Sequence, residues 1–258
     1  MNSLDLTSQT ALVTGASGGI GRAIALALAQ AGANLILHGH RNLAALDSLA
    51  AEIHSLGRQA VTLQADLANP SATQRLAAAA WTWQGRLDLL VNNAGADVLT
   101  GDAAKLSFEQ KLAQLWQVDV LGCVTLSRLL GEEMRQQGFG QIINIGWDQA
   151  ERGMAGDAGE MFGTIKGAVI AFSRSLAQSL APQVRVNCLA LGWIRTAWGE
   201  QSSEYWQQRA VHESLRGRWG TPADVAAAVQ FLAAPAADFI TGQVIEVNGG
   251  FRFGSVRE

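Results

Sequence analysis

Short apolar segments alternate with helical patterns along the whole chain, and this alternation is the strongest constraint on its fold. The apolar segments span four to six residues. Strands that are almost continuously apolar are buried on both faces, as in a parallel sheet covered by helices on each side. The pattern therefore predicts a doubly wound α/β fold. The predicted strands are 10–13, 34–37, 60–63, 87–91, 141–145, 184–189 and 243–247, and the main predicted helices are 21–30, 43–53, 71–83, 108–134, 160–180 and 221–233.

Composition limits the class of protein. Of the 258 residues, 48% are hydrophobic and 16% are charged, so the chain can bury a large core and is not disordered. This length fits a single domain over residues 1–258. A net charge of −3 without a basic stripe argues against nucleic acid as a partner. We find no signal sequence in residues 1–10 and no apolar run of about 18 residues, so we expect a cytoplasmic protein without a membrane span.

Cysteine and histidine usage points away from a metal centre. Cys123 and Cys188 lie in apolar stretches, which predicts two reduced core thiols rather than a disulfide. The four histidines lack the spacing of a zinc site, so no metal is expected.

One segment, residues 193–219, breaks the alternation of strands and helices. In a single α/β domain such an insertion is usually a lid or a binding loop. We therefore expect it to cover a substrate.

A glycine-rich loop follows the first predicted strand and leads directly into a helix. Gly15, Gly19 and Gly21 permit a tight turn, a close approach of the backbone to a pyrophosphate, and close packing of helix on strand. The N-terminus of the following helix offers free N–H groups and the positive end of the helix dipole. The position of the loop between strand and helix predicts a dinucleotide-binding site.

Motifs spread over nearly the whole chain resemble those of the short-chain dehydrogenases/reductases. Within that family the chain looks most like the 3-oxoacyl-carrier-protein reductases and the pteridine reductases. The resemblance implies one Rossmann-type domain with a seven-stranded parallel sheet in the order 3-2-1-4-5-6-7. The motifs are Thr14-Gly15-x-x-x-Gly19-Ile20-Gly21, Asp66-Leu67, Asn92-Asn93-Ala94-Gly95, the helix around Lys166, Val186-Asn187, Gly192-x-Ile194-x-Thr196, Ile240-Thr241-Gly242-Gln243 and Asn248-Gly249-Gly250.

The resemblance also implies which residues contact the nicotinamide cofactor, and it implies a homotetramer or homodimer. We expect the helical segments 108–134 and 160–180 to form the interface between subunits, because they are longer than one sheet face can cover. The expected cofactor contacts are Gly15, Ser17, Gly19, Ile20, Gly21, His40, Arg41, Asp66, Leu67, Asn92, Ala94, Gly95, Lys166, Ile194 and Thr196.

The end of the second strand predicts which dinucleotide is bound. An acid there would accept hydrogen bonds from the ribose and repel a 2′-phosphate, but the segment reads Leu37-His38-Gly39-His40-Arg41-Asn42. Arg41 offers a guanidinium fork to a phosphate and His40 adds a donor, as in pteridine reductases that use NADPH. We predict NADP(H). The alternative is that Arg41 caps a helix or faces water. Gly18 also differs from the Arg or Lys that many NADPH-dependent relatives carry at this position.

Three of the four positions that usually carry catalysis in this family hold other residues here. The family usually has Asn, Ser, Tyr and Lys, and the Tyr hydroxyl gives a proton to the substrate carbonyl. Counting back four residues from Lys166 reaches Phe162, the Ser position is Trp147, and the Asn position is Asp119. Only Lys166 is retained.

Three functions remain open at this stage. The chain is a dinucleotide-binding protein without catalysis, a ketone reductase with a relocated proton donor, or a reductase of a C=N bond that takes its proton from a carboxylate. For the third function we predict Lys166, Asp119 and Asp148 as the catalytic residues, with Asp157 and Glu160 as further candidates.

Aromatic residues are concentrated where the resemblance places the substrate. Trp147, Phe162, Trp193 and Trp198 are predicted to line the substrate pocket, with Tyr205 and Trp206 nearby. Rings of this kind stack on a flat heteroaromatic small molecule. The alternative is that they fill an oversized or closed cleft.

Overall fold

Seven parallel strands form one sheet in the order 3-2-1-4-5-6-7 in the computed structural model, which describes residues 4–252. This confirms the predicted fold class and strand order; residues 1–3 and 253–258 of the predicted domain lie outside the described residues. Each predicted strand is present, with ends shifted by at most two residues. The strands are β1 Thr10–Val13, β2 Asn34–Gly39, β3 Ala60–Gln64, β4 Leu89–Asn92, β5 Gly140–Trp147, β6 Val184–Leu191 and β7 Val244–Val247.

Helices cover both faces of the sheet. The helices are α1 Gly19–Gln30, α2 Leu43–Ser55, α3 Pro70–Thr82, α4 Phe108–Leu115, α5 Cys123–Gln137, α6 Gln149–Arg152, α7 Asp157–Leu180, α8 Ala197–Gln201, α9 Glu204–Glu213 and α10 Pro222–Ala233. Thr221 caps α10, and its side chain accepts a hydrogen bond from the Asp224 N–H.

Two separate cores explain why the strands are apolar at successive positions. Neighbouring residues of a strand point to opposite faces of the sheet. In β2, Leu35 and Leu37 pack with α1, α2 and α10, whereas Ile36 packs on the opposite face with α3, α5 and α7. Both sets of side chains are fully buried.

The predicted helix 108–134 is not continuous. It consists of α4 and α5 joined by a π-helical segment, Trp116–Gly122. A π-helical turn holds an extra residue, and such turns frequently occur at functional sites. Here the turn directs Asp119 inward, where the carboxylate is buried and accepts a hydrogen bond from the Ala96 N–H at 2.8 Å. A regular helical repeat does not reveal this change of register.

Both cysteines are free and buried, as the sequence predicted. Burial raises the pKa of the Cys123 thiol to about 12 and that of Cys188 to about 11. The two thiols therefore behave as core side chains.

The predicted insertion contains the short helices α8 and α9 and lies beside the carboxyl ends of β5 and β6. It is joined to the rest of the fold by a bridge between Ile194 and Gly220. No helix among residues 4–252 is long and apolar enough to cross a membrane.

Candidate cofactor cleft and substrate pocket

A cleft of about 840 Å³ opens at the carboxyl ends of the strands, beside the point where the strand order reverses between β1 and β4. Ligands bind at this position in open α/β sheets. Three of the predicted cofactor contacts, Asn92, Lys166 and Ile194, do not line the cleft. The predicted contacts that line it are Gly15, Ser17, Gly19, Ile20, Gly21, His40, Arg41, Asp66, Leu67, Ala94, Gly95 and Thr196.

The glycine-rich loop has the shape that a pyrophosphate requires. A Cβ on Gly21 would lie 2.2 Å from the Gly15 oxygen, and one on Gly15 would lie 2.9 Å from Ala94 Cα, so neither position admits a side chain. Gly18 has open space at its Cβ position, and no side chain caps the N-terminus of α1. The N–H groups of the first turn of α1 are therefore free to bind an anion in the open space in front of them.

Thr14 and Asn93 hold the loop against the end of β4. The Thr14 hydroxyl oxygen accepts hydrogen bonds from the Asn93 and Ala94 N–H groups, each at 3.0 Å. The Asn93 side chain donates to the Thr14 and Gly15 carbonyls. These hydrogen bonds hold the loop in position. The sequence motif alone does not reveal this structural role of Thr14 and Asn93.

Buried His38 is a further support of the loop that sequence reasoning missed. Its Nε2 lies 3.1 Å from the Ala65 carbonyl oxygen, and its Nδ1 accepts a hydrogen bond from the Gly15 N–H at 3.4 Å. Burial lowers the pKa of His38 to about 4. The ring is therefore neutral at pH 7, with its proton on Nε2.

The far end of the cleft carries an imidazole, a guanidinium and two carboxyl groups, those of Asp66 and Asp97; Asp97 lies within electrostatic range of Arg41. His40 and Arg41 line it, and His40 Nδ1 lies 4.0 Å from the Asp66 carboxylate. The Arg41 side chain is exposed, and no hydrogen-bond partner for its guanidinium exists among residues 4–252. This guanidinium is thus free to bind a phosphate group.

Lys166 and Asp119 form a buried ion pair. Lys166 Nζ lies 3.1 Å from Asp119 Oδ1, and the two side chains are 15% and 3% exposed. Lys166 also donates to the Ile145 carbonyl at 3.3 Å. Asp119 lines neither the cleft nor the neighbouring pocket, so its carboxylate reaches a bound molecule only through Lys166.

Asp148, the other predicted carboxylate, faces away from the pocket. It is buried, and its Oδ2 pairs with Arg152 at 3.1 Å and accepts a hydrogen bond from Asn248 at 3.0 Å. Burial raises the pKa of Asp148. It is not among the residues that line the pocket, and neither are Asp157 and Glu160, which are exposed in the first turn of α7.

An aromatic pocket of about 410 Å³ adjoins the cleft. Leu99 and Trp198 line both cavities, so the two are direct neighbours. The Trp147 and Phe162 rings meet edge to face at 6.3 Å. Tyr205, the only tyrosine of the chain, is 58% exposed and does not line the pocket. The pocket-lining residues are Leu99, Gly146, Trp147, Met154, Ala158, Phe162, Lys166, Trp193, Trp198 and Trp206.

Glu213 anchors the aromatic residues of the predicted lid, a role that the sequence did not reveal. Its carboxylate accepts a hydrogen bond from the Trp193 indole N–H at 2.7 Å and pairs with Arg209 at 2.6 Å. The Arg209 guanidinium lies over the rings of Trp193 and Trp206. One partly buried acid thus holds two of the residues that line the pocket, Trp193 directly and Trp206 through Arg209.

Comparison with known proteins identifies the family. A family model described as enoyl-(acyl carrier protein) reductase matches residues 15–252. The chain belongs to the short-chain dehydrogenase/reductase family, a class of oxidoreductases. It is 36% identical over 252 residues to a 3-oxoacyl-[acyl-carrier-protein] reductase of Synechocystis, covering 95% of this chain and 97% of that protein.

Two solved structures share the fold over nearly the full length. A 7α-hydroxysteroid dehydrogenase complexed with NADH and 7-oxo glycochenodeoxycholic acid has a TM-score of 0.87 and 30% identity, with 96% of each chain covered. A short-chain dehydrogenase of Burkholderia cenocepacia in complex with NADP has a TM-score of 0.85 and 30% identity, covering 95% of this chain and 98% of that one. Structures of this fold therefore accept either dinucleotide.

We predict that His38 makes stability depend on pH. The pKa of His38 is about 4 in the folded chain against an ordinary value of 6.5, so as pH falls the unfolded chain binds the proton first. The contribution is complete above pH 6.5 and is lost as the pH falls toward 4, by about 3 kcal/mol in total. Urea unfolding across this range measures it. The dependence should be smaller in His38→Gln, and an equal dependence in both proteins would contradict the assignment.

Proposed function

We propose that the chain is an NADP(H)-dependent oxidoreductase that reduces a flat substrate at a C=N bond or a heteroaromatic ring. The position of a separate aromatic pocket directly beside the dinucleotide-sized cleft carries this proposal, because Leu99 and Trp198 belong to both cavities. A protein that only bound a dinucleotide would not need the second cavity. The cofactor would supply the hydride.

The choice of NADP(H) rests on Arg41. Its guanidinium is unpaired among the described residues and lines the cleft beside His40. The glycine-rich loop and the first turn of α1 would hold the pyrophosphate. The complex of the Burkholderia relative with NADP supports this choice. Lys166 and Asn92 lie near the cleft without lining it. We propose that they hold in place the residues of the cleft that contact the cofactor.

Any proton that the reaction consumes would pass through the Lys166–Asp119 pair. Among the described residues that line the aromatic pocket, Lys166 alone has an ionisable side chain. The Asp119 carboxylate lies 3.1 Å from the Lys166 ammonium and holds it in position, and the ammonium can donate a proton. We therefore retain Lys166 and Asp119 in the proposed proton path and leave out Asp148.

The second candidate is a dinucleotide-binding protein without catalysis. Trp147 and Phe162 favour it, since they stand where relatives usually carry the hydrogen-bonding Ser and the proton-donating Tyr. A ketone reductase with Tyr205 as relocated donor is less well supported, because that side chain lies outside the pocket.

We also propose that copies of the chain associate into a dimer or tetramer through the surface formed by the π-helical segment and α5. Trp116, Leu121 and Leu129 are large apolar side chains on this surface and are 40%, 38% and 41% exposed. Exposed apolar residues grouped in this way are typical of interfaces between subunits.

Arg41→Ala should weaken NADPH binding much more than NADH binding. The substitution removes a charge-assisted contact to the 2′-phosphate worth about 1.5–3 kcal/mol. Calorimetric titration with both dinucleotides measures the difference. Arg75→Ala is the matched control, because Arg75 is exposed on α3 outside the cleft. Tighter binding of NADH than of NADPH by the unaltered protein would refute the role of Arg41.

Asp119→Asn should lower kcat for a neutral imine such as dihydroisoquinoline by roughly 10²-fold, because it removes the carboxylate from the proposed proton path. NADPH affinity should change little. Loss of reduced-nicotinamide absorbance follows the reaction, and thermal melting checks the fold. Full activity in Asp119→Asn, together with loss of activity in Asp148→Asn, would contradict the proposed proton path.

Phe162→Tyr combined with Trp147→Ser should create or raise reduction of a ketone such as tetralone. The double variant restores the phenol and the hydroxyl that act on a carbonyl oxygen. Phe172→Tyr on the same helix is the control, since Phe172 packs in the core between α7 and the sheet. If the unaltered protein already reduces ketones as fast as the double variant, our interpretation of the two positions is wrong.

A further inference from the structure

The aromatic pocket surrounds its contents with electron-rich rings from three parts of the fold. Trp147 ends β5, Phe162 lies on α7, and Trp193, Trp198 and Trp206 come from the segment that follows β6 and includes α8 and α9. The face of an indole carries negative electrostatic potential and attracts a cation within about 6 Å. Several such rings around one cavity form the kind of cage that binds quaternary ammonium groups.

The rings of this pocket already interact with a cation. The Arg209 guanidinium lies 5.7 Å from the Trp193 ring centroid and 5.2 Å from that of Trp206. Arg209 does not line the pocket, so it approaches these rings from outside. The fold itself therefore places a positive charge against the Trp193 and Trp206 rings.

The charged groups next to the pocket are paired. Lys166 pairs with Asp119 at 3.1 Å, and Arg209 pairs with Glu213 at 2.6 Å. These carboxylates reduce the repulsion that the ammonium and the guanidinium exert on a cationic ligand. Trp193 cannot donate its indole N–H to a ligand, because that hydrogen bond goes to Glu213.

Positions 162 and 147 carry neither a phenol nor a hydroxyl. This restricts which hydride-accepting groups the substrate can have. Reduction of a ketone or a neutral imine consumes a hydride and a proton. Reduction of an iminium cation consumes the hydride alone, because the electron pair of the C=N π bond neutralises the nitrogen. An acceptor of this kind needs neither residue.

We propose that the preferred substrate carries a permanent positive charge at the hydride-accepting group: a cyclic iminium ion or an N-alkylated heteroaromatic cation. This inference rests on the proposed function and specifies its substrate class. The new C–H bond forms at the carbon of the C=N⁺ group, the C=N π bond is lost, and reduced nicotinamide is oxidised. The cation becomes a neutral amine or a neutral dihydro ring, and no proton is taken up.

Binding of a cation that cannot be reduced tests the aromatic cage without relying on turnover. The probe is N,N-dimethyl tetrahydroisoquinolinium, and its neutral isostere is dimethyltetralin, in which carbon replaces the nitrogen. Tryptophan fluorescence and calorimetry should show the cation bound at least tenfold more tightly. Equal or tighter binding of the isostere overturns the proposal.

Substitution of a cage residue should weaken this binding selectively. Trp198→Leu keeps an apolar side chain but removes the ring, and we expect about a tenfold loss of cation affinity with little change for the isostere. Trp81→Leu is the matched control, since Trp81 lies on α3, is partly buried against the core and does not line the pocket. Equal losses for cation and isostere in Trp198→Leu would show that the ring contributes only apolar area, and would overturn the cage.

Turnover of three bicyclic compounds of matched size tests the substrate class. With NADPH, we expect kcat/KM for N-methyl dihydroisoquinolinium to exceed that for uncharged dihydroisoquinoline and for tetralone by at least tenfold. A higher value for either uncharged compound overturns the proposal while leaving the proposed oxidoreductase function intact. Tight binding of the cation without reduction of any of the three compounds contradicts the proposed function itself and identifies a protein that only binds such cations.

Discussion

A parallel sheet must be covered on both faces, and this requirement determines most of the structure. Each strand must therefore carry apolar side chains on both faces. In β2, Leu35 and Leu37 pack in one core and Ile36 packs in the other. A parallel sheet also demands a helical crossover after each strand, so every strand ends at the same edge of the sheet. The residues that follow the strands are collected there. The cleft and the aromatic pocket both lie at this edge because of the topology, and their chemistry depends on which residues follow each strand.

The ion pair of Lys166 and Asp119 shows how backbone and side chains together place a carboxylate in the interior. A buried carboxylate is costly unless it is paired and hydrogen-bonded. Asp119 obtains both kinds of partner, from Lys166 at 3.1 Å and from the Ala96 N–H at 2.8 Å. The π-helical segment brings it to this position. Where the family resemblance implies a neutral amide, this protein therefore has a carboxylate behind its lysine, and Lys166 is the member of the pair that faces the pocket.

The fold and the cleft were predictable from sequence because they depend on local patterns. Strand order followed from family motifs, and the glycine-rich loop has a mechanism that can be read from its spacing. Contacts between distant segments were not predictable in this way. His38 reads as one more polar residue at a strand end, yet it joins Gly15 to Ala65. Asp148 and Asp119 were equivalent candidates in sequence, and only the positions of Arg152 and Lys166 separate them.

An apolar cavity that binds no ligand tends to be filled by side chains, because the side chains around an empty space lose dispersion contacts. Five large rings border the aromatic pocket, and their side chains have ample volume to close it. Polar contacts instead hold the wall residues in one arrangement: Glu213 accepts a hydrogen bond from the Trp193 indole N–H and pairs with Arg209, whose guanidinium lies against the Trp193 and Trp206 rings. These two rings contact each other, with 5.4 Å between their centroids, and about 410 Å³ beside them stays open. That arrangement is unnecessary for filling a disused cleft and is what a pocket with an occupant requires, which favours the reductase over a protein that binds the dinucleotide alone.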